Sequence, residues 1–217
     1  MMEVKDKLRK VLSSVTGVLH VGANNGREAA LYQSFNLSVL WIEPIPEIYK
    51  ELKKQISKLE NQIALNELIV DEDGKEYMFN IANNNGASSS LFDFSGHKDI
   101  WPDVKFIGSM PLNGISLGTL YDRKKIEPNK YQVLVIDVQG SELLVLQGAR
   151  EWLSEFEFIH LEVANFDSYK NGCTTTDIEA FMRENKYIEI ERECFAKSTN
   201  GRKYFNILYK KVSSNFL

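Results

Sequence analysis

Cysteine is scarce in this chain: Cys173 and Cys194 are its two, and neither stands at metal-ligand spacing from another Cys or from a His. That argues against a disulfide framework and against a structural metal site, and two reduced thiols in a cytoplasmic protein is the expected state. Basic charge is not in excess either. With 26 Lys and Arg against 30 Asp and Glu, the net charge is −4. Nothing here is built to neutralise a phosphate backbone, so no nucleic-acid partner is expected. The run Arg123-Lys124-Lys125 is short and reads as a solvated helix end. No apolar stretch approaches the roughly 20 residues that cross a bilayer. The segment Met1 to Ser14 is charged and lacks the hydrophobic centre of an export signal. A cytoplasmic protein without membrane insertion is the expectation. No internal repeat or linker divides the chain, and one domain over 1–217 fits its length.

What is present is an alternation of short apolar runs with helical stripes. Residues 4–14 read as an amphipathic helix carrying Val4, Leu8, Val11 and Leu12. Val18 to Val21 reads as a buried strand, followed by a helix over 27–35 and a strand over 38–42. Pro46 opens a helix with Ile48, Leu52, Ile56 and Leu59 on one stripe. One strand is expected over 63–70, then a turn at "DEDG" and an extra strand at "EYMFNIA". Residues 71–112 form an insertion that reads as irregular after that strand. A stretch so long and so aromatic (Phe92, Phe94, Trp101, Phe106) is expected to be functional rather than disordered. A helix over 115–124, a strand over 133–138, a helix from Ser141, a strand over 156–163, a helix over 176–185 and a closing hairpin complete the order. Strands separated by helices imply right-handed crossovers and a parallel sheet. The expected fold is α/β and doubly wound, with a mostly parallel seven-stranded sheet whose last strand is antiparallel.

In such sheets ligands bind beyond the carboxyl ends of the strands, where the strand order reverses. The first strand is followed by "HVGANNGREA". There Gly22 and Gly26 allow a tight turn, and the next helix offers free N–H groups to a ligand. The dinucleotide fingerprint requires glycine where Asn24 stands, which argues against a nicotinamide enzyme. Glu43 in "WIEP" ends the second strand, where a carboxylate accepts from both hydroxyls of a ribose. Asp71 at the end of the third strand is a candidate for the adenine region and equally an ordinary turn residue. Asp137 closes a strand of Val, Leu and Ile, where an acid without a task is rare. Glu142 falls in the first turn of the next helix and reads equally as cap or ligand contact. Glu162 ends the fifth strand, next to Asp137, so two carboxylates flank one crevice as acceptor ligands or bases.

Taken together these pieces resemble the FkbM-type methyltransferases, in the branch that opens with "HVGA". The matching segments are "HVGANNGREA", "WIEP", "DEDG", "NNNGASSSLFDFSGHKDIWPDV", "IDVQGSELLVLQGA" and "LEVANFDSYKNGC". They run in family order and cover nearly all of residues 15–210. The resemblance implies a class I, Rossmann-like enzyme that uses S-adenosylmethionine, usually to methylate oxygen of a sugar, polyketide or similar metabolite, and in some relatives nitrogen. It implies that Gly22, Ala23, Asn24, Gly26, Glu28, Glu43 and Asp71 line the cofactor, with Ser88 and Ser89 beside it. Asp137 would face both ligands, and Ser90, Gln139, Glu142, Glu162 and Tyr169 the acceptor. Two departures stand out. His20 replaces the acid common before the glycine turn, and "NGRKYFNILYKK" lacks the Trp and Asp frequent before the last strand.

Methyl transfer from a sulfonium is a direct displacement that needs alignment, and a positioned base helps a weak hydroxyl nucleophile. His97 is the first candidate base because its ordinary pKa suits proton transfer, with Asp137 and Glu162 as competitors. His20 and His160 read as core residues, and Trp41 and Trp152 as packing. The expected function is therefore O-methylation of a hydroxylated acceptor (small molecule, glycan or peptide). N-methylation of a peptide amide or amino sugar is the alternative, and a non-catalytic nucleotide-binding domain the less favoured one.

Overall fold

The computed structural model describes residues 6–127 and 129–212. The N-terminal helix of the sequence reading is present as α1 (Asp6–Leu12), while Val4 lies outside the described residues. The chain then runs β1 (Gly17–Val21), α2 (Ala29–Ser34), β2 (Ser38–Ile42), α3 (Pro46–Ile56) and β3 (Gln62–Leu65). It continues with β4 (Leu68–Ile69), β5 (Glu76–Ala82), β6 (Phe106–Ile115), α4 (Leu117–Lys124) and β7 (Val133–Ile136). Last come α5 (Glu142–Ala149), β8 (Phe158–Ala164), α6 (Thr175–Glu184), β9 (Tyr187–Lys197) and β10 (Lys203–Lys211).

Seven strands form one sheet in the order β3-β2-β1-β7-β8-β10-β9. Only β10 runs against its neighbours, pairing antiparallel with both β8 and β9. Strand order reverses at β1, which lies between β2 and β7. The crevice beyond Val21 is thus where a ligand is expected in an α/β sheet. Alternation along each strand supplies two cores. Val18, Val133, Phe158 and Leu208 face α1, α2 and α3, and Leu19, Leu134, Ile159 and Ile207 face α4, α5 and α6. Every residue of β1 is buried, as a central strand covered on both faces requires.

Three expectations change. The single strand over 63–70 is split, because Asn66 turns away from β3 and donates from its amide to the carbonyls of Glu43 (2.8 Å) and Pro44 (2.9 Å). β4 then leaves the main sheet and joins a smaller one in the order β4-β6-β5. The insertion is also less irregular than its sequence suggests, since the ten-residue β6 pairs antiparallel with all seven residues of β5. Gly108, Pro111 and Gly114 hide β6 from a pattern search. They are tolerated because β4 meets β6 only at Gly114 and Ile115, so the missing N–H of Pro111 falls on a free edge. The helix expected from Arg27 begins two residues later, as Gly26 and Ala29 are joined in a turn.

Candidate active site

The glycine turn after β1 is closed by backbone contacts. Gly22 and Ala23 donate to the Ile42 carbonyl at 3.0 Å each, and Asp137 donates to the Val21 carbonyl at 3.0 Å. Gly22 has φ +81°, and a β-carbon there would lie 1.8 Å from the Asp137 carbonyl oxygen. No other residue fits. Asn24 also has a left-handed backbone, φ +47°, which Asn tolerates better than most residues. Its amide nitrogen donates to the Asn85 carbonyl at 3.0 Å, tying the 84–90 loop to the turn.

Glu43 is 4% exposed. Its two carboxylate oxygens accept from the backbone N–H of Asn24 and of Ile45, each at 2.9 Å. Burial pushes its pKa up to about 7 despite those two bonds, and Asp137 adds to the rise. Around it lies a cleft that opens to solvent. Ile45, Leu68, Ile69 and Phe79 make its apolar wall, and Gly22, Asn24, Arg27, Asp137 and Gln139 its polar end. Ser89 lines it too and is anchored by the Ala82 N–H, which donates to its hydroxyl at 3.0 Å.

Gln139 organises the far end. Its backbone is left-handed (φ +56°), and its amide nitrogen donates to Asp137 at 2.7 Å and to Glu162 at 3.3 Å. Its amide oxygen accepts from the Tyr169 hydroxyl at 2.8 Å, and its carbonyl from the Ser90 hydroxyl at 2.7 Å. Tyr169 also packs on Gly140, where a β-carbon would come within 3.0 Å of its ring. Burial raises the pKa of Asp137 to about 6, with Glu28 adding to the rise, and burial together with the Asp137 charge holds that of Glu162 well above the usual carboxylate range.

A second cavity, of ≈ 530 Å³, opens on the α1 and α2 side of the sheet. It shares Arg27 and Asp137 with the first and adds Glu28, Glu162, His20 and His160. Of the residues singled out in the sequence, the structure therefore brings Gly22, Asn24, Glu43, Ser89, Asp137 and Gln139 to one cleft, and Glu28 and Glu162 to its neighbour. Ala23 is buried in the turn behind them.

Gly26, Ser90 and Tyr169 line neither space, and four further candidates also lie outside both. Asp71 does not line either space, because β4 carries it away from the strand end and Glu67 and Leu68 take that place. Glu142 is 2% exposed, accepts from the Gly140 N–H and the Cys173 thiol, and serves as a cap inside the protein. Ser88 and His97 sit one layer out. His97 is fully buried, with Nε2 3.2 Å from the Ser88 hydroxyl, inside rings of Phe94, Trp101, Tyr169 and Tyr204. Burial lowers its pKa to about 4. His97 thus reaches the cleft only through its neighbours, and a direct base role has no geometric support.

Arg27, Ile45, Leu68, Ile69 and Phe79 escaped the sequence reading, although Arg27 lies inside the quoted turn segment. His20 and His160 were read as packing. His20 is indeed a core residue, bonded to the Tyr32 hydroxyl at 3.2 Å and stacked on Trp41, whereas His160 is half-buried in the cavity wall. The signal that could have found it is the period of two, which sets His160 and Glu162 on one face of β8.

A family model described as the methyltransferase FkbM domain matches residues 20–189. The chain belongs to the FkbM methyltransferase family. Solved structures give the same fold at low identity. Magnesium protoporphyrin IX methyltransferase from Synechocystis PCC 6803, with bound S-adenosylmethionine, aligns at TM-score 0.53 and 9% identity over 95% of this chain and 77% of that one. TrmK from M. capricolum, bound to S-adenosylhomocysteine, aligns at 0.52 and 10% over 99% and 72%. An rRNA methylase from Streptococcus thermophilus aligns at 0.52 and 10% over 98% and 100%. No curated protein matches the sequence. This FkbM-family methyltransferase has no helix among its described residues long and apolar enough to cross a membrane.

Proposed function

We propose that this methyltransferase, acting as one domain, transfers a methyl group from S-adenosylmethionine to a hydroxyl of a sugar-like or related small acceptor. The observation that carries the reading is Glu43, a buried carboxylate at the β2 end that faces a cleft with one apolar wall and one polar end. Each of its oxygens keeps a lone pair beyond the backbone bond it accepts, so both can receive the hydroxyls of a ribose. Ile45, Leu68, Ile69 and Phe79 offer an apolar slot to a purine. Arg27 and Asp137, at the other end, match the carboxylate and ammonium of an amino acid. The bound cofactor supplies an electrophilic methyl on a sulfonium.

The protein's part is alignment and proton handling. Asp137 and Glu162 are held by one amide of Gln139, and burial raises both pKa values, that of Asp137 to about 6, close to where a base works best. As the oxygen–carbon bond forms and the carbon–sulfur bond breaks, the acceptor proton passes to this pair and the sulfur keeps the electron pair. Ser88 and His97 brace the 84–90 loop rather than carry the proton. Calorimetric titration with S-adenosylhomocysteine tests the cofactor reading. Micromolar-range binding that Glu43→Ala abolishes supports it, and a folded wild-type protein that binds neither S-adenosylmethionine nor this product overturns it.

A further inference from the structure

The two edges of the main sheet are finished differently. β9 closes one side with Glu189, Glu191, Arg192, Glu193 and Lys197, charges that deter a further strand. β3 closes the other side and reads QIAL, without a charge. The backbone N–H of Val39 donates to the Asn61 carbonyl and that of Glu43 to the Leu65 carbonyl, so the odd positions of β3 bond to β2. The main-chain groups of Gln62 and Ala64 therefore face the open edge.

Beside that edge the sheet is incompletely covered. A groove runs from Leu40 and Leu65 past Ile63 to Ile126, and Ile63 is 52% exposed. The end of α4 shapes its other side. Lys125 is left-handed (φ +49°), and the Ile126 N–H turns back to donate to the Tyr121 carbonyl at 3.1 Å. Glycine or asparagine is the usual occupant of such a position, and lysine holds it here at a backbone cost. Lys124, Lys125 and Lys130 all line the groove, against one acid, Glu127. In a chain of net charge −4 that excess is local, and it sets the run Arg123-Lys124-Lys125 beside an apolar floor. Tyr131 lines the same groove while only 4% exposed, and its hydroxyl has no hydrogen-bond partner among the described residues. An unmatched polar group so deep in a groove is a second sign of an absent ligand.

Each feature suits a different part of one occupant. A small anion would use the lysines and leave the apolar floor and the strand edge bare. A nucleic-acid strand needs a longer basic track than three lysines supply. Two copies joined β3 to β3 would bring their lysine rims together. An extended polypeptide uses everything: main chain for Gln62 and Ala64, apolar side chains for Ile63 and Leu65, and carboxylates for the lysines. We propose that β3 and this groove dock an acidic, extended segment of a partner protein by strand addition. β3 offers only four residues for pairing, so the side-chain contacts select the partner.

Fluorescence anisotropy tests this with a labelled nonapeptide of glutamates that carries two leucines, one residue apart, at its centre. The controls are a version with lysine for glutamate and a version N-methylated at alternate residues, which cannot extend a sheet. The glutamate peptide is expected to bind the whole protein, more weakly as salt rises. Ile63→Glu, and separately the pair Lys124→Glu with Lys130→Glu, should each cost at least about tenfold in affinity. All three side chains are exposed, so the melting temperature should be kept. A silent glutamate peptide, or binding that neither variant weakens, overturns the proposal. Equal affinity for the lysine peptide overturns the acidic class, and equal affinity for the N-methylated one overturns strand addition. A wild-type dimer in sedimentation that Ile63→Glu dissolves also overturns it, assigning the groove to a second copy.

Discussion

The two spaces at the carboxyl end of the sheet are built in different ways. The first is made by backbone: turns at Gly22, Asn24 and Gln139 hold left-handed conformations, and Glu43 is fixed by two main-chain N–H groups. The second is made by side chains that stand on strands, one or two from each of β1, β7, β8 and β10, beneath a helix of seven residues. Backbone construction gives a rigid cradle that tolerates little change. Side-chain construction leaves the walls open to substitution without disturbing the sheet. The contrast teaches that the first space is the constrained one and the second the adaptable one.

The sharpest way to break that contrast is Gly22→Ala. The new β-carbon meets the Asp137 carbonyl, and the φ of +81° suits only glycine. A loss of about 3 kcal/mol or more is expected in urea denaturation, from overpacking and backbone strain together. A loss below about 1 kcal/mol would mean the cradle yields, contrary to the argument.

Next in size is a pH effect on the same cleft. Glu43 must be ionised to accept from two hydroxyls, and burial puts its pKa at about 7. Affinity for S-adenosylhomocysteine should then rise as pH increases through about 7, and Glu43→Gln should flatten the profile. The sign is opposite for stability of the free protein. Its folded pKa lies above the unfolded value, so the contribution of Glu43 is complete below about 4.5 and is lost as pH rises through about 7. Urea midpoints measured across that window check both the slope and its reduction in Glu43→Gln.

Smaller is Tyr169→Phe, which removes the donor to Gln139. About 1 kcal/mol of stability should go, with turnover falling and cofactor affinity moving less than about threefold. An equal fall in both would show that Gln139 serves the first space as much as the second. Asp93→Asn gives the baseline. Its 3.4 Å pair with Lys170 has both side chains more than 60% exposed, so a change under about 0.5 kcal/mol is expected in the same assay.

Much of this was legible before any coordinates. The order of β1, β2, β7 and β8, the reversed last strand and the glycine turn all rest on local rules of alternation and turn chemistry that no distant contact overrides. Glu43 and Asp137 could be read because each ends an apolar strand. Three things escaped. The break between β3 and β4 depends on Asn66 reaching carbonyls more than twenty positions back. The pairing of β6 with β5 is a long-range ladder that glycines and a proline conceal in one dimension. The burial of His97 comes from rings spread from Phe94 to Tyr204, so its polar sequence neighbours gave no hint of it.

The wall of Arg27 and Asp137 has a thermodynamic corollary. A charge that leans on either residue from one side alters the field felt on the other. By linkage, whatever factor an occupant of one space imposes on the affinity of the second must be returned in full. Once the methyl has moved, the sulfur is no longer cationic, and that factor changes for both products together. The shared wall would then loosen or tighten both by one common factor, favouring neither in the order of leaving.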